Sequence, residues 1–332
     1  MVKKLFLMIV TVVVMVVMAE ALLRVMGYHP WSAHSKDLDE PTMHEYDAET
    51  GWRNRAGSYS YIPTGKKVSV TFLQDGLRAS EVNDKGIADQ RRKIIVIGGS
   101  FTQGWALSDD ETYPWQLQKI FPDYEVLNFG TGGFGTYQSL LMLERALKTT
   151  GSPALVVYGF IEHHEIRNVA PRYWLEMLSR FSKRGHALVP YATLDSSDNI
   201  ERHPPESYLA HWFLHDKLAL VALAEKAHMR FVSRKRESMR GKVTEDLMLE
   251  MNRVVKDAGG EFVVALLWFE DGSKKNNYIN FLEKNNVMVI DVVKPMTSDM
   301  RIKGEGHPNG KLNRIWAEEI SGFVWEQGII AR

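Results

Sequence analysis

The stretch that decides the fold is KIIVIGGSFTQG, from Lys93 to Gly104. Its continuous run of β-branched residues, Ile94–Ile97, predicts a parallel strand that is buried on both faces. Gly98 and Gly99 then allow a tight turn into a helix and leave room for a ligand. Ser100 stands where the strand surfaces, either as the cap of the following helix or as a nucleophile. Which role applies depends on what the rest of the chain places beside it.

Strands and helices alternate from Lys93 onward, which indicates a parallel sheet covered by helices on both faces. The predicted fold class is therefore α/β, a three-layer α/β/α sandwich around a doubly wound sheet of five parallel strands. Residues 24–90 are polar and turn-rich and form an N-terminal extension, and residues 168–242 interrupt the pattern as a helical insertion. The strands are predicted at 93–98, 125–129, 154–160, 261–267 and 287–291, and the helices near 112–120, 136–149, 243–259, 273–285 and 309–327.

Composition excludes several classes of function. The 332 residues include 41 Lys and Arg against 41 Asp and Glu, so the net charge is zero. A nucleic-acid partner therefore has no electrostatic support, and none is expected. The chain has no cysteine, which excludes disulfides, zinc sites built on cysteine and thiol nucleophiles.

The N-terminus indicates export. Lys3 and Lys4 precede an uncharged apolar segment, Leu5–Met18, which is typical of a signal peptide or of the core of a membrane helix. Ala19-Glu20-Ala21 could serve as a cleavage site, whereas the apolar pattern that resumes at Leu22 favours an uncleaved anchor over residues 1–23. The positive-inside rule keeps the two lysines in the cytoplasm. We expect a single-pass protein of the inner (cell) membrane whose C-terminal domain lies in the periplasm or outside.

Groups suited to nucleophilic catalysis follow the predicted strands. Ligands of such sheets bind beyond the carboxyl ends of the strands. A histidine is the usual base that activates a serine, and backbone N–H groups on glycine-rich turns can hold an oxyanion. The groups expected at this edge are Ser100, Asn128, Gly130, Gly133, His163, His164, Trp268 and, before the last helix, His307.

Over residues 91–332 the ordered motifs resemble the SGNH (GDSL-type) hydrolase family, in its exported bacterial form. Gly98-Gly99-Ser100 is similar to the Gly-Asp-Ser block, with Gly replacing Asp. Asn128, Gly130 and Gly133 match the Asn-x-Gly-x-x-Gly block, and His307-Pro308-Asn309 is similar to the last block. The resemblance implies a flavodoxin-like sandwich, Ser100 as nucleophile, His307 as general base, and the N–H groups of Ser100 and Gly133 as oxyanion donors.

Two positions depart from the family pattern. The third block usually offers an Asn amide to the oxyanion, and the matching residue here is His164, whose neutral imidazole can donate one hydrogen bond. The acid that orients the histidine normally lies three residues before it, where this chain has Gly304. Glu305 is the nearest carboxylate, although it is out of register. Either Glu305 orients His307, or the site is a Ser–His dyad in which a backbone carbonyl holds the imidazole.

The resemblance implies ester hydrolysis or acyl transfer through an acyl-Ser100 intermediate, without cofactor or metal. The expected substrate carries an O-acetyl or other short acyl ester on an envelope glycan or lipid. Trp105 and Trp268 are candidates for substrate contacts because their rings could stack on a sugar, although ordinary packing would also explain them. Asn128 is a third candidate for such a contact.

Other interpretations remain open. Gly99, His164 and Gly304 would also fit a catalytically impaired relative that acts as a binding or assembly protein in polysaccharide modification. Residues 130–135 fit G-x-G-x-x-G, and Glu162 stands where a ribose-binding acid would be expected, which is the pattern of an NAD-binding oxidoreductase. A metal site is not expected, because no carboxylate spacing supports the histidines that could form one, His163, His164, His211 and His215.

Overall fold

The computed structural model describes residues 2–31, 41–181, 188–207 and 212–331. Its first element is a 24-residue helix, α1 (Val2–Val25), which contains an 18-residue stretch with a mean hydropathy of 2.7 and no buried residue. In length and composition this helix could cross a membrane. It is the apolar N-terminal helix that the sequence predicts.

The N-terminal extension consists of two antiparallel strand pairs. β1 (His44–Asp47) pairs with β2 (Gly51–Asn54), and β3 (Gly57–Tyr61) pairs with β4 (Val68–Phe72). Alternate residues of β4 point into a small apolar core, which comprises Met43, Tyr61, Val68, Val70 and Phe72.

A five-stranded parallel sheet forms the centre of the structure. The remaining strands are β5 (Arg92–Gly98), β6 (Tyr124–Asn128), β7 (Leu155–Ile161), β8 (Leu188–Leu194), β9 (Ile200–Ser207), β10 (Glu261–Trp268) and β11 (Met288–Asp291). The parallel sheet has the order β6-β5-β7-β10-β11, whereas β8 and β9 pair separately. In sequence terms this is the order 2-1-3-4-5 of flavodoxin-like folds. The predicted doubly wound sheet is confirmed.

The remaining helices are α2 (Ser100–Gln103), α3 (Tyr113–Ile120), α4 (Thr136–Thr150), α5 (His164–Val169), α6 (Arg172–Phe181), α7 (Ala219–Asp257), α8 (Gly272–Lys284) and α9 (Gly310–Glu326). Helices α3 and α9 pack on one face of the parallel sheet, and α4, α8 and the second half of α7 pack on the other. Because successive strand residues point to opposite faces, Ile94 and Val96 pack in one core with residues of α3 and α9. Ile95 and Ile97 pack in the other, with residues of α4, α8 and the second half of α7. The three-layer sandwich is therefore confirmed.

The insertion at 168–242 differs from the prediction of a purely helical segment. It contains the β8–β9 hairpin, whose turn is closed by a hydrogen bond from the Asp195 N–H to the Asn199 carbonyl, 2.9 Å. Pro190, Pro204 and Pro205 within the two runs argue against strands in sequence terms, but a pair outside the main sheet tolerates them. The helix predicted at 243–259 begins much earlier, at Ala219, and runs for 39 residues.

The chain divides into two compact units. The first comprises residues 1–36, 171–187 and 207–238, and it contains α1, α6 and the first half of α7. The second comprises residues 37–170, 188–206 and 239–332, and it contains the parallel sheet and the N-terminal extension.

Candidate active site

Ser100 lies in a sharp turn between β5 and α2. A Cβ on Gly98 would lie 2.4 Å from Thr102 Oγ1 and 2.7 Å from the Gly159 carbonyl oxygen, so only glycine fits at this point. The turn places Ser100 as the first residue of α2, and the Ser100 carbonyl accepts the Gly104 N–H at 2.9 Å. The serine is thereby held at the carboxyl end of β5.

Ser100, His307 and Glu305 form a hydrogen-bonded chain. Ser100 Oγ lies 2.9 Å from His307 Nε2, and Glu305 Oε2 lies 2.6 Å from His307 Nδ1. The bond to His307 lowers the pKa of Glu305 in spite of partial burial, which acts in the opposite direction. An ionised carboxylate therefore faces the imidazole. The interpretation of a dyad held by a backbone carbonyl is replaced by a Ser–His–Glu arrangement.

The loop before α9 explains how an out-of-register acid reaches the histidine. The Ile302 N–H donates to the His307 carbonyl at 2.8 Å, which closes the loop. Gly304 adopts a φ of 78°, in the left-handed region where an Asp would be strained. Glu305 comes one residue later, and its Oε2 also accepts the His307 N–H at 2.9 Å. The local turn thus brings the carboxylate back to the imidazole of a residue only two positions away.

Aromatic rings flank the histidine. The ring centroid of Trp105 lies 4.7 Å from that of His307. The ring centroid of Phe101 lies 5.4 Å from that of His307, and the Phe101 ring also stacks on Trp316 of α9. Trp105 is half-buried and lies beside His307. A substrate contact at Trp105 stays a prediction.

Trp268 lies at the carboxyl end of β10, beside an open cleft of about 330 Å³. Its ring lies 4.7 Å from that of the exposed His163. Partial burial lowers the pKa of His163, and the nearby Arg167 guanidinium lowers it further. Trp268 and His163 thus pair at the carboxyl ends of the neighbouring strands β10 and β7.

The turn that carries Gly133 is fixed next to the end of β5. The Thr131 N–H donates to the Gly98 carbonyl at 3.0 Å, and the Phe134 N–H donates to the Thr131 carbonyl at 3.2 Å. Gly133 itself has a φ of 83°, and within the described part of the chain its N–H donates to no carbonyl or side chain. This donor is therefore available at the same sheet edge as Ser100.

Two residues of the N-terminal extension hold this turn, and sequence reasoning missed both. Asn54 Nδ2 donates to the Gly130 carbonyl at 2.9 Å, and Asn54 Oδ1 accepts Gln103 Nε2 at 2.7 Å. Trp52 Nε1 donates to the Gly132 carbonyl at 2.9 Å. Residues about 80 positions apart meet here, and no local spacing in the sequence signals such contacts.

His164 lies inside the protein, behind Gly99. The imidazole is fully buried, and its Nδ1 lies 2.8 Å from the Tyr158 hydroxyl, which donates to Thr136. Burial lowers the pKa of His164 well below its usual value, so the ring is neutral. A Cβ on Gly99 would lie 2.7 Å from His164 Nε2, so the buried imidazole leaves room only for glycine at position 99. The prediction of His164 as an oxyanion donor is corrected, because no face of the ring is open to a substrate.

Asn128 is likewise a structural residue. It is fully buried, its Oδ1 accepts the Gly130 N–H at 2.9 Å, and its Nδ2 donates to the Thr102 carbonyl at 3.3 Å. Both polar atoms of the side chain are therefore used inside the protein. The prediction of a substrate contact at Asn128 is corrected, and the residue instead shapes the turn that leads to Gly133.

The glycines of the dinucleotide-like motif have a packing role. A Cβ on Gly130 would lie 2.3 Å from the Gln103 nitrogen, and one on Gly135 would lie 2.6 Å from Asn168 Oδ1. These two glycines therefore allow the turn to pack against α2 and α5. Since Trp52 also covers Gly132, the spacing is explained without a bound dinucleotide.

Among the described residues, one group of three carboxylates is close enough to hold a metal ion, Glu81, Asp89 and Glu125. The Arg91 guanidinium binds all three and supplies positive charge between them. This cluster lies beside the first residues of β5 and β6, at the edge opposite to Ser100. Of the histidines considered for a metal, His211 lies outside the described residues, and the others lie apart from this cluster.

No protein-family model and no curated protein matches the chain. Solved structures with a similar fold include a lipolytic protein of the G-D-S-L family from Veillonella parvula, at 12% identity and a TM-score of 0.41, over 70% of this chain and 97% of that one. A second is the psychrotrophic esterase EstA from Pseudoalteromonas sp., at 11% identity and a TM-score of 0.41, over 71% of this chain and 98% of that one. A third is a carbohydrate esterase of family 3 from Talaromyces cellulolyticus, at 11% identity and a TM-score of 0.38, over 72% of this chain and 98% of that one. All three TM-scores lie below 0.5, and the function proposed below rests on the geometry of the site.

Proposed function

We propose that this chain is a membrane-anchored serine esterase or acyltransferase. The observation that carries the proposal is the hydrogen-bonded chain from Ser100 Oγ to His307 Nε2, at 2.9 Å, and from His307 Nδ1 to Glu305 Oε2, at 2.6 Å. A serine, its base and an acid that orients the base form the arrangement that acyl transfer through a covalent intermediate requires. The chemistry of these three groups needs no cofactor.

In the proposed reaction His307 Nε2 takes the Ser100 Oγ proton while Oγ attacks the carbonyl carbon of an ester. The carbonyl π electrons move onto oxygen, and the tetrahedral intermediate collapses when the imidazolium returns the proton to the leaving alcohol. Water or an acceptor alcohol then attacks the acyl-Ser100 ester in the same way, with His307 again as base. Glu305 accepts the Nδ1–H throughout and stabilises the imidazolium.

The N–H groups of Ser100 and Gly133 are the proposed oxyanion donors. Ser100 is the first residue of α2, where an N–H has no intrahelical acceptor. The Gly133 N–H lies on the turn that is bonded to the end of β5. Backbone donors held in place before the reaction stabilise the oxyanion without reorganisation, and each contributes on the order of 10²- to 10³-fold in rate.

The proposed substrate is an O-acetyl or other short acyl ester of an envelope glycan or lipid. The helix α1, with Lys3 and Lys4 at its start, supports a single-pass topology in which the sheet-bearing unit lies in the periplasm or outside. Trp105, beside His307, and Trp268, in the cleft at the end of β10, offer ring faces, and such faces stack on sugar rings.

A serine-directed fluorophosphonate tests the proposal. The full-length protein in detergent should form one adduct, located by mass spectrometry on Ser100, and should hydrolyse p-nitrophenyl acetate. Ser100→Ala and His307→Ala should lose both, whereas Ser58→Ala, at an exposed serine of the extension, should behave as wild type. A folded wild-type protein that forms no adduct and hydrolyses no ester would instead support a catalytically impaired binding or assembly protein. Saturable NAD binding would support an oxidoreductase.

A further inference from the structure

Three consecutive large apolar residues are exposed before α7. The exposed fractions of Trp212, Phe213 and Leu214 are 43%, 88% and 38%. We call this segment the apolar loop. A contiguous exposed apolar segment marks an interaction surface more often than a chance exposure.

The apolar loop is held in a defined turn. The His215 N–H donates to the Trp212 carbonyl at 3.0 Å, and the Leu218 N–H donates to the Leu214 carbonyl at 2.8 Å. The His215 ring stacks on Trp31 at 5.2 Å, and the His215 carbonyl accepts the Trp31 N–H at 3.0 Å. The exposure of the three side chains is therefore a feature of a fixed turn.

The same segment is bonded to the end of α1. Glu20 Oε1 and Oε2 accept the N–H groups of Ala219 and Leu220, the first residues of α7, at 2.9 Å each. Arg24 donates to Glu20 at 2.7 Å and to the Lys217 carbonyl at 2.9 Å. A carboxylate at a helix N-terminus is favoured by the helix dipole. The last turns of α1 and the first turn of α7 thus form one joint.

The position of this joint on α1 fixes its depth in a membrane. From Lys4 to Glu20 the helix rises roughly 24 Å at about 1.5 Å per residue, compared with a hydrocarbon core of about 30 Å. If α1 spans with Lys4 at the inner boundary, Glu20 lies close to the outer boundary of the hydrocarbon. Because Glu20 bonds directly to Ala219, the residues that precede α7 must lie at nearly the same depth.

We propose that the apolar loop enters the outer interface of the same lipid bilayer that α1 spans. Trp side chains favour this layer because the ring is apolar and its N–H is polar. The inference rests on the anchoring that is part of the proposed function. It also requires that α1 be retained, because cleavage after Ala21 would remove Glu20 from the N-terminus of α7.

The charges that follow the loop suit such a surface. The first half of α7, residues 219–238, is basic, and Phe231 within it is 80% exposed. Basic side chains next to exposed apolar ones are typical of helices that contact anionic lipid headgroups. The exposed basic residues are Lys226, Arg230, Arg234 and Lys235, whereas Arg236 and Glu225 are buried and Glu237 is half-buried.

Single cysteines test the proposal without background labelling, because the chain has none of its own. Phe213→Cys, Val12→Cys in α1 and Val82→Cys in the sheet-bearing unit are each exposed and should fold as wild type. Each full-length variant is labelled with an environment-sensitive dye and reconstituted in nanodiscs that contain phosphatidylglycerol and a doxyl-labelled lipid. The labels at positions 12 and 213 should be quenched about twofold or more, whereas the label at position 82 should not be quenched.

The position of the quencher refines the test. At position 213, a doxyl group near the headgroup should quench more strongly than one near the end of the acyl chain. If the label at position 12 is quenched while those at 213 and 214 (Leu214→Cys) behave like the label at 82, the present inference fails and the anchor stands. If the label at position 12 is not quenched, the anchoring itself fails. Glu20→Ala should reduce quenching at 213 and leave that at 12 unchanged, and equal quenching at 213 would overturn the role of the joint.

Discussion

Replacing Glu305 by Gln removes the charge that faces His307 and keeps the shape of the side chain. A hydrogen bond to a charged group contributes about 1.5–3 kcal/mol, which corresponds to roughly 10- to 10²-fold in rate. An amide can also donate to Nδ1, which would leave the proton on Nε2 and block proton transfer from Ser100. A wrong tautomer of this kind costs about 10⁴-fold in a serine protease whose acid is replaced by an amide. We therefore expect kcat to fall between about 10²- and 10⁴-fold, with KM nearly unchanged.

The assay is the hydrolysis of p-nitrophenyl acetate by the full-length protein in detergent, with kcat and KM determined separately. Glu318→Gln is the matched control, since Glu318 is an exposed glutamate on α9 and makes no contact with the triad. The fold of each variant is checked by circular dichroism. A kcat for Glu305→Gln within about threefold of wild type, with Ser100→Ala inactive, would refute the assignment of Glu305 as the orienting acid.

Three further predictions concern the surroundings of the site and the opposite edge of the sheet. Gly99→Ala should lower the free energy of unfolding by about 1–3 kcal/mol, because its Cβ would lie 2.7 Å from His164 Nε2. Thermal denaturation measures this loss, and a smaller loss in a His164→Ala background would confirm the contact. Asn54→Ala should lower kcat by about 10²-fold with little change in KM, because the turn that carries Gly133 loses its support, and an unchanged kcat would contradict this role. Burial raises the pKa of Glu125 to about 8 in the folded protein. The stability that protonated Glu125 contributes is therefore fully present below the pKa of Glu125 in the unfolded chain, and it is lost as the pH rises through about 8. Glu125→Gln should therefore match wild type near pH 5 and exceed its stability at pH 9, by on the order of 1 kcal/mol in urea titrations.

Local patterns in the sequence were sufficient for the parallel sheet. Each of the five parallel strands is an apolar run bounded by turn residues, and every prediction lies within one or two residues of the observed strand. A buried parallel strand must be apolar on both faces, so its signal is local and strong. The same reasoning predicted that Ser100 and His307 lie at one edge of the sheet, and the structure places Ser100 Oγ 2.9 Å from His307 Nε2. The hairpin β8–β9 was missed because its prolines contradict the usual strand pattern.

Only the tertiary structure decided which side chains of residues close in sequence contact one another. Glu305 reaches His307 because Gly304 adopts a left-handed φ, and a backbone angle of that kind cannot be inferred from a spacing of two residues. His163 and His164 are adjacent in sequence, yet their side chains point in different directions. His163 is exposed beside Trp268, whereas His164 is buried behind Gly99.

The same limit applies to contacts between distant segments. Asn54 holds the Gly130 turn and Glu20 caps α7 through hydrogen bonds that join residues 76 to 200 positions apart. Periodicity determines which residues are buried in a helix or strand, because it depends on the geometry of one element. The partner of a buried or capping polar group depends on how separate elements are placed in space, and that placement is set by packing of the whole chain.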